Sequence, residues 1–233
     1  MKKNIKKLIS EDQLKAIEKS ILDIILDLDH PNINSIEKLQ LDTSETEAFS
    51  ITPFCNLTSL NEFIDKYPVS LEMVNVLIWD TLTGLSYLHS KKLVHSDLKL
   101  SNILMHKVGK KITFKLGDLL TLKRENTFLK IEGGFYTPEI IAPEVYESGM
   151  VTSKMDIWSF GVLLYILFTK KYPFGDRRNI PVSKIKENIK SKSIIGPPLV
   201  SVMEPYNHFI ELCLSKKPNE RPTAKDLLEM IEQ

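Results

Sequence analysis

The sequence predicts a mixed α+β fold, and three patterns carry that expectation. Leu71, Val74, Leu77, Ile78, Leu85 and Leu88 recur at helical spacing and form the apolar stripe of a long amphipathic helix. Ile103-Leu104-Met105 and Ile112-Thr113-Phe114-Lys115-Leu116 read as the two arms of a short hairpin. Phe160–Phe168 is the longest apolar run; it is far too short to span a bilayer and reads as a helix buried on all sides. At 233 residues the chain can bury a sizeable core. In chain order, Leu14, Ile17, Ile21, Leu22, Ile24, Ile25 and Leu28 mark a first helix that ends before His30-Pro31-Asn32-Ile33. The long helix follows, then a loop at residues 94–102, the hairpin, and the apolar helix opened by Asp156-Ile157-Trp158-Ser159-Phe160-Gly161.

Composition narrows the function classes. A formal net charge of +1 supplies no net cationic field for counterion release, so an electrostatic nucleic-acid binder is not expected. With only Cys55 and Cys213, neither a disulfide framework nor a thiolate metal site is expected, and a reducing intracellular compartment, cytoplasmic or nuclear, fits. Met1–Ser10 is basic but lacks the apolar core of a signal peptide, and Lys2 rules out a myristoylated glycine. No membrane association, fixed-period repeat, low-complexity tract or appended module is expected.

Val94-His95-Ser96-Asp97-Leu98-Lys99-Leu100-Ser101-Asn102 suits the transfer of a phosphoryl group from a metal-bound nucleotide to a hydroxyl. In that chemistry Asp97 accepts the hydroxyl proton, Lys99 steadies the γ-phosphate and Asn102 holds magnesium. Gly117-Asp118-Leu119 follows the hairpin at once, making Asp118 a second metal ligand that the hairpin returns opposite Asn102. Further on come Ala142-Pro143-Glu144, the Asp156 helix, and Arg221-Pro222-Thr223.

In this order the motifs resemble the protein-kinase family, its serine/threonine branch in particular, since a lysine stands two residues after Asp97. The resemblance covers about residues 30–233 and implies a bilobal fold in one domain over residues 1–233. A truncated, β-rich small lobe with one helix would span residues 1–53, a hinge residues 54–58, and a large, mainly helical lobe residues 59–233. It implies ATP and Mg2+ as cofactors and a protein carrying serine or threonine as substrate. A monomer is expected, with a regulatory protein partner left open.

The resemblance departs most at the N-terminus. No G-x-G-x-x-G occurs in the sequence, so the glycine-rich lid over the phosphates is missing. Ile5-Lys6 can be laid on the end of the strand that carries the family's phosphate lysine, making Lys6 that lysine; a frayed basic start is the other reading. Asn4 then replaces a small apolar residue against the adenine. Ile21 stands where the lysine-pairing glutamate is usual, and Glu18 is the acid a shifted helix could offer. Ala48-Phe49-Ser50-Ile51-Thr52-Pro53-Phe54-Cys55 fits the last small-lobe strand running into the hinge, with Thr52 as gatekeeper. The Pro53 carbonyl and the Cys55 amide and carbonyl would read the adenine edge, and Leu104 would form its floor. Cys55 itself reads as a packed small hydrophobe rather than a reactive thiol.

In the large lobe the resemblance makes His95 structural, stacked with Leu119 and Ile25. Ser96 stands where an arginine usually binds a phosphate on the activation loop, so activity should not depend on loop phosphorylation. Leu120 replaces the usual glycine and restricts a backbone flip. Glu144 and Arg221 match a buried ion pair, and Asp156 an acid that accepts backbone amides of the catalytic loop. Thr137-Pro138-Glu139 fits a substrate-docking stretch, with Thr137 bridging Asp97 and Lys99 and Tyr136 narrowing the groove. Three readings stay open: a weak kinase, a catalytically impaired pseudokinase acting as a binding or decoy module, and a fragment whose start lies further upstream.

Overall fold

The computed structural model describes residues 3–10, 19–41, 47–129, 136–191, 194–198 and 204–232. In chain order the elements are β1 (Lys3–Ser10), α1 (Lys19–Leu26), β2 (Lys38–Leu41), β3 (Glu47–Pro53), α2 (Leu60–Lys66), α3 (Leu71–Ser90), β4 (Leu93–Val94), β5 (Ile103–Val108), β6 (Lys111–Leu116), β7 (Lys123–Arg124), α4 (Pro143–Ser148), α5 (Ser153–Thr169), α6 (Val182–Ser191), α7 (Tyr206–Cys213) and α8 (Ala224–Glu232). The expected α+β class holds. The chain folds as two compact units: Met1–Tyr87 with Leu100–Thr121, and Leu88–Lys99 with Leu122–Gln233.

The first unit holds a three-stranded antiparallel sheet in the order β1-β3-β2. Residues 3–10 are therefore a paired strand, not a frayed start, and Lys6 stands opposite Ser50 in the register. Pairing with one edge of β3 supplies what this lysine-rich segment lacks in apolar content, and lysines on an outer strand discourage further pairing. The first helix is seen from Lys19 to Leu26, burying Ile21 and Ile25, while Leu14, Ile17 and Glu18 lie outside the described residues.

Two asparagines fasten the turn after α1 to the hairpin. Leu116 N–H donates to the Asn32 carbonyl and Asn34 N–H to the Leu116 carbonyl, both at 2.8 Å. The Asn32 amide donates to the Phe114 carbonyl at 3.1 Å, and Phe114 N–H to Asp80 Oδ2 at 2.8 Å. His30 stacks on Tyr87 with centroids 4.7 Å apart. Helix α3 buries Val74, Leu77, Ile78, Leu82 and Leu85 as its stripe requires, whereas Leu71 at its first turn is 48% exposed. Strands β5 and β6 pair from Ile103↔Leu116 to Val108↔Lys111, leaving a two-residue turn at Gly109-Lys110. Gly109 takes φ +60°, the left-handed conformation such turns demand.

The second unit is built on α5, in which every residue from Met155 to Tyr165 is buried. A Cβ on Gly161 would lie 2.7 Å from Cys213 Cβ on α7, so only glycine allows these helices to pack this closely. The side chain of Arg221 is 0% exposed yet fully engaged. Its guanidinium forks onto Glu144 with two 2.7 Å bonds, donates to the Ser215 and Lys154 carbonyls at 2.7 and 3.0 Å, and lies over the Trp158 ring. This is the buried ion pair the sequence anticipated. No helix among the described residues is long and apolar enough to cross a membrane.

Candidate active site

In the second unit, β4 pairs with β7 and delivers the chain to His95 and Ser96, both buried. Ser96 has φ +64°, a left-handed conformation that costs a non-glycine residue about 1–2 kcal/mol. Asp156, at the start of α5 and 0% exposed, holds it there. The carboxylate accepts His95 N–H at 2.7 Å on Oδ2 and Ser96 N–H at 2.9 Å on Oδ1, while His89 Nε2 lies 2.9 Å from Oδ2. A carboxylate is used because three donors converge on one buried point and only an anion offers that many strong acceptor sites.

Beyond this anchor, three side chains close a triangle. Lys99 Nζ lies 2.6 Å from Asp97 Oδ2 and 2.9 Å from Thr137 Oγ1, and the Thr137 hydroxyl donates to Asp97 Oδ1 at 2.7 Å. Thr137 is 6% exposed, while the side chains of Asp97 and Lys99 are 13% and 31% exposed. Both carboxylate oxygens of Asp97 are thus oriented by a partner while the group still meets solvent, the arrangement a base needs to receive a hydroxyl proton.

The stretch after Thr137 is pinned as firmly. Tyr146 O–H donates to the Pro138 carbonyl and Ser159 O–H to the Ile140 carbonyl, both at 2.9 Å. Buried Glu139 accepts Arg177 N–H on Oε1 at 3.0 Å. Burial pushes the Tyr146 hydroxyl pKa upward, which keeps it the proton donor in its bond.

The first unit contains a cavity of about 700 Å³, lined among others by Thr52, Cys55, Leu104, Asn102 and Asp118. Pro53 ends β3 between Thr52 and Phe54, both of which line it, and Ser50, opposite Lys6 in the register, lines it too. Asn102 closes the turn at Leu100–Asn102, is buried, and through its carbonyl accepts Gly117 N–H at 2.8 Å, the closure that brings Asp118 to the same cavity. A Cβ on Gly117 would meet Leu104 Cδ1 at 3.0 Å, so the glycine permits the cavity floor and the Asp118 backbone to sit in contact. Asp118 has φ +59°, and its carbonyl accepts the Thr121 hydroxyl at 2.8 Å. Leu120, in the turn Leu119–Thr121, has no positive φ, and the left-handed residue is the aspartate itself.

The Cys55 thiol lies 3.5 Å from Asn34 Oδ1 and burial pushes its pKa up, as a packed hydrophobe requires. His95, Leu119 and Ile25 are each buried. Among the described residues no group of three or more His, Cys, Asp or Glu could hold a metal. Asn102 and Asp118 both line the cavity and carry oxygen donors of the kind magnesium takes, an ion that uses few protein ligands and completes its shell with phosphate and water.

The sequence reading missed several lining residues. Asn34, Thr58, Ser59 and Glu62 also face the cavity. Ser59-Leu60-Asn61-Glu62 is a capping-box string at the start of α2, with Ser59 Oγ accepting Glu62 N–H, so the placement of Glu62 was legible. Asn34 had no such local signal.

A family model described as the protein kinase domain matches residues 1–231. The chain is 32% identical over 215 residues to serine/threonine-protein kinase pkpA of Phycomyces blakesleeanus, covering 89% of this chain and 33% of that protein. It is 27% identical over 219 residues to serine/threonine/tyrosine-protein kinase HT1 of Arabidopsis thaliana, covering 92% and 54%. It is also 29% identical over 224 residues to a calcium/calmodulin-dependent protein kinase kinase of Caenorhabditis elegans, covering 94% and 40%. The chain thus spans from a third to about half of these relatives' length.

Proposed function

We propose, because this chain belongs to the protein kinase family, that it transfers the γ-phosphoryl group of Mg-ATP to serine or threonine hydroxyls of protein substrates, slowly, inside the cell. The observation that carries this reading is the closed triangle of Asp97, Lys99 and Thr137. Folding does not require it: three polar side chains are oriented toward one another at a half-open surface where apolar groups or water would serve stability as well. Asp97 takes the acceptor's proton, Lys99 holds positive charge beside the reacting oxygens, and Thr137 fixes the carboxylate.

When bound, Mg-ATP supplies the transferred group and the divalent charge that neutralises it. Asn102 and Asp118 would hold the metal, and Thr52, Pro53, Cys55 and Leu104 would receive the adenine. Lys6, registered opposite the cavity residue Ser50, would serve the phosphates. The slow rate follows from the missing G-x-G-x-x-G. Backbone donors aimed at developing charge are worth about 3–4 kcal/mol each in comparable sites, so their loss leaves catalysis to the base, the lysine and the metal.

The test is phosphoryl transfer from labelled Mg-ATP to a serine/threonine-rich protein by the wild type and Asp97→Asn, with thermal-shift titration of both. Transfer should fall by about 10²-fold or more in the variant while Mg-ATP still raises the midpoint. Mg-ATP binding without transfer in the wild type would return the chain to the pseudokinase reading, a binding or decoy module.

A further inference from the structure

The chain is almost neutral overall at +1, yet residues 170–190 carry seven Lys or Arg against two acids, Asp176 and Glu187, so the remainder is net negative. This charge is local, and two of its cations are built onto the substrate-docking stretch. Arg177, its side chain 54% exposed, gives its backbone N–H to Glu139 Oε1 at 3.0 Å, with Nε 3.5 Å from the same oxygen. Lys186, on α6, lies 5.5 Å from the centroid of the Tyr146 ring, and the Tyr146 hydroxyl donates to the Pro138 carbonyl. Pro138 and Glu139 directly follow Thr137, which touches the base. Lys190 stands four residues beyond Lys186, on the same face of α6.

Counter-charges are present and do not cancel the excess. Asp176 is spent on Arg178 in a fork of bonds at 2.6–3.1 Å, and Glu187 pairs with Lys184 at 2.9 Å. Glu139, the acid of the stretch that follows Thr137, is 2% exposed, and its Oε2 has no hydrogen-bond partner among the described residues. The surface met by a peptide running past Thr137 is therefore cationic.

We propose that this surface selects acidic segments of protein substrates, with Asp, Glu or phosphorylated residues within about three positions of the acceptor hydroxyl, the reach of an extended strand at about 3.3 Å per residue. The proposal rests on the kinase reading for its meaning, but its binding step can be measured without phosphoryl transfer. A protein segment is favoured over nucleic acid because the patch is short, adjoins the docking stretch, and sits on a chain with no net cationic field.

The experiment is fluorescence anisotropy at low salt with three labelled peptides sharing one central serine, flanked by Glu, Ala or Lys. Two or three half-exposed charge contacts of ordinary strength give the Glu peptide about a tenfold advantage over the Lys peptide. In Arg177→Gln/Lys186→Gln/Lys190→Gln that advantage should fall to about twofold or less. Lys110→Gln, which removes a charge from the hairpin turn, should preserve it. Circular dichroism melts check that each variant folds. Equal binding of the three peptides, or an unchanged preference in the triple variant, overturns the proposal. So does tighter binding of a single-stranded RNA or an anionic vesicle of matched charge. Labelled transfer to the same peptides separates the two readings: selective binding with no transfer sinks the kinase reading alone, whereas transfer with no charge preference sinks the surface alone.

Discussion

Asp156→Asn tests whether the catalytic loop is held by one buried anion. The carboxylate receives two backbone donors and lies within hydrogen-bond distance of His89 Nε2, all at 2.7–2.9 Å and without solvent contact. An asparagine keeps one acceptor oxygen and sets an NH2 against a donor, so at least one buried N–H is stranded at a cost of about 1–3 kcal/mol. The bonds that survive lose their charge assistance, roughly another 1 kcal/mol in all. A loss of about 2–4 kcal/mol in a chain of this length lowers the melting temperature by about 4–16 °C. The functional loss should exceed the stability loss. Ser96 at φ +64° is kept in place by this carboxylate, and relaxation there moves Asp97 relative to Thr137. Misplacement of about 1 Å costs on the order of 10²-fold in rate. Circular dichroism melts, with transfer assayed well below both midpoints, separate the two effects. An unchanged midpoint refutes the anchoring argument, and a lowered midpoint with full transfer refutes the link from anchor to base.

Three further outcomes are expected. Asn102→Ala and Asp118→Ala should each abolish the magnesium dependence of ATP binding seen by isothermal titration, and binding equally strengthened by magnesium in both variants would remove them as metal ligands. Thr127→Ala should leave transfer within about twofold while costing about 1 kcal/mol, the worth of the 2.6 Å bond from its hydroxyl to the Arg124 carbonyl; a large loss of transfer in the folded variant refutes the view that activity is independent of loop phosphorylation. Burial pushes the Asp80 carboxyl above its ordinary 3.8, outweighing the opposing bonds from Phe114 N–H and Asn32, so the folded state holds that proton more tightly than the unfolded chain. Its contribution to stability is then present below pH 3.8 and lost as pH rises through the folded-state value, and Asp80→Asn should gain stability relative to the wild type between pH 4 and pH 7. A constant difference across that range would show that Asp80 is not desolvated.

What could be read from the sequence was local, and what could not was fastened across long separations. The α3 stripe and the β5–β6 hairpin follow from spacing alone, because each buries one face regardless of what covers it. Asp97 and Lys99 were legible from one short string with a chemical reason for its spacing, whereas Thr137, some forty residues on, joined them only through the family resemblance. Strand β1 was only half legible: Lys3–Ser10 lacks apolar alternation, and its place comes from the backbone of β3, some forty residues away. Asn34 carries no local sign of lining a cavity, since its position is fixed by the Leu116 carbonyl. The left-handed Ser96 was invisible for the same reason, because serine does not announce positive φ and the group that enforces it is Asp156, sixty residues on.

The source of order in the docking stretch bears on regulation. Thr137 stays within 2.7 Å of Asp97 because the residues after it are tied from the C-terminal side: Tyr146 on Pro138, Ser159 on Ile140 and Arg177 on Glu139. Each of these ties is made by a group within the second unit, on or beyond α4, and none uses a threonine of the preceding segment. Thr121 and Thr127 spend their hydroxyls on carbonyls three residues back, Asp118 and Arg124. A phosphate on either threonine would have to break that bond, and residue 96 is a buried serine that offers no guanidinium. Phosphorylation there has a local cost and no cationic clamp at residue 96 to repay it. Under the proposed kinase reading the base is then assembled by packing, and the proposed selection of acidic segments at Arg177 and Lys186 is the control that remains.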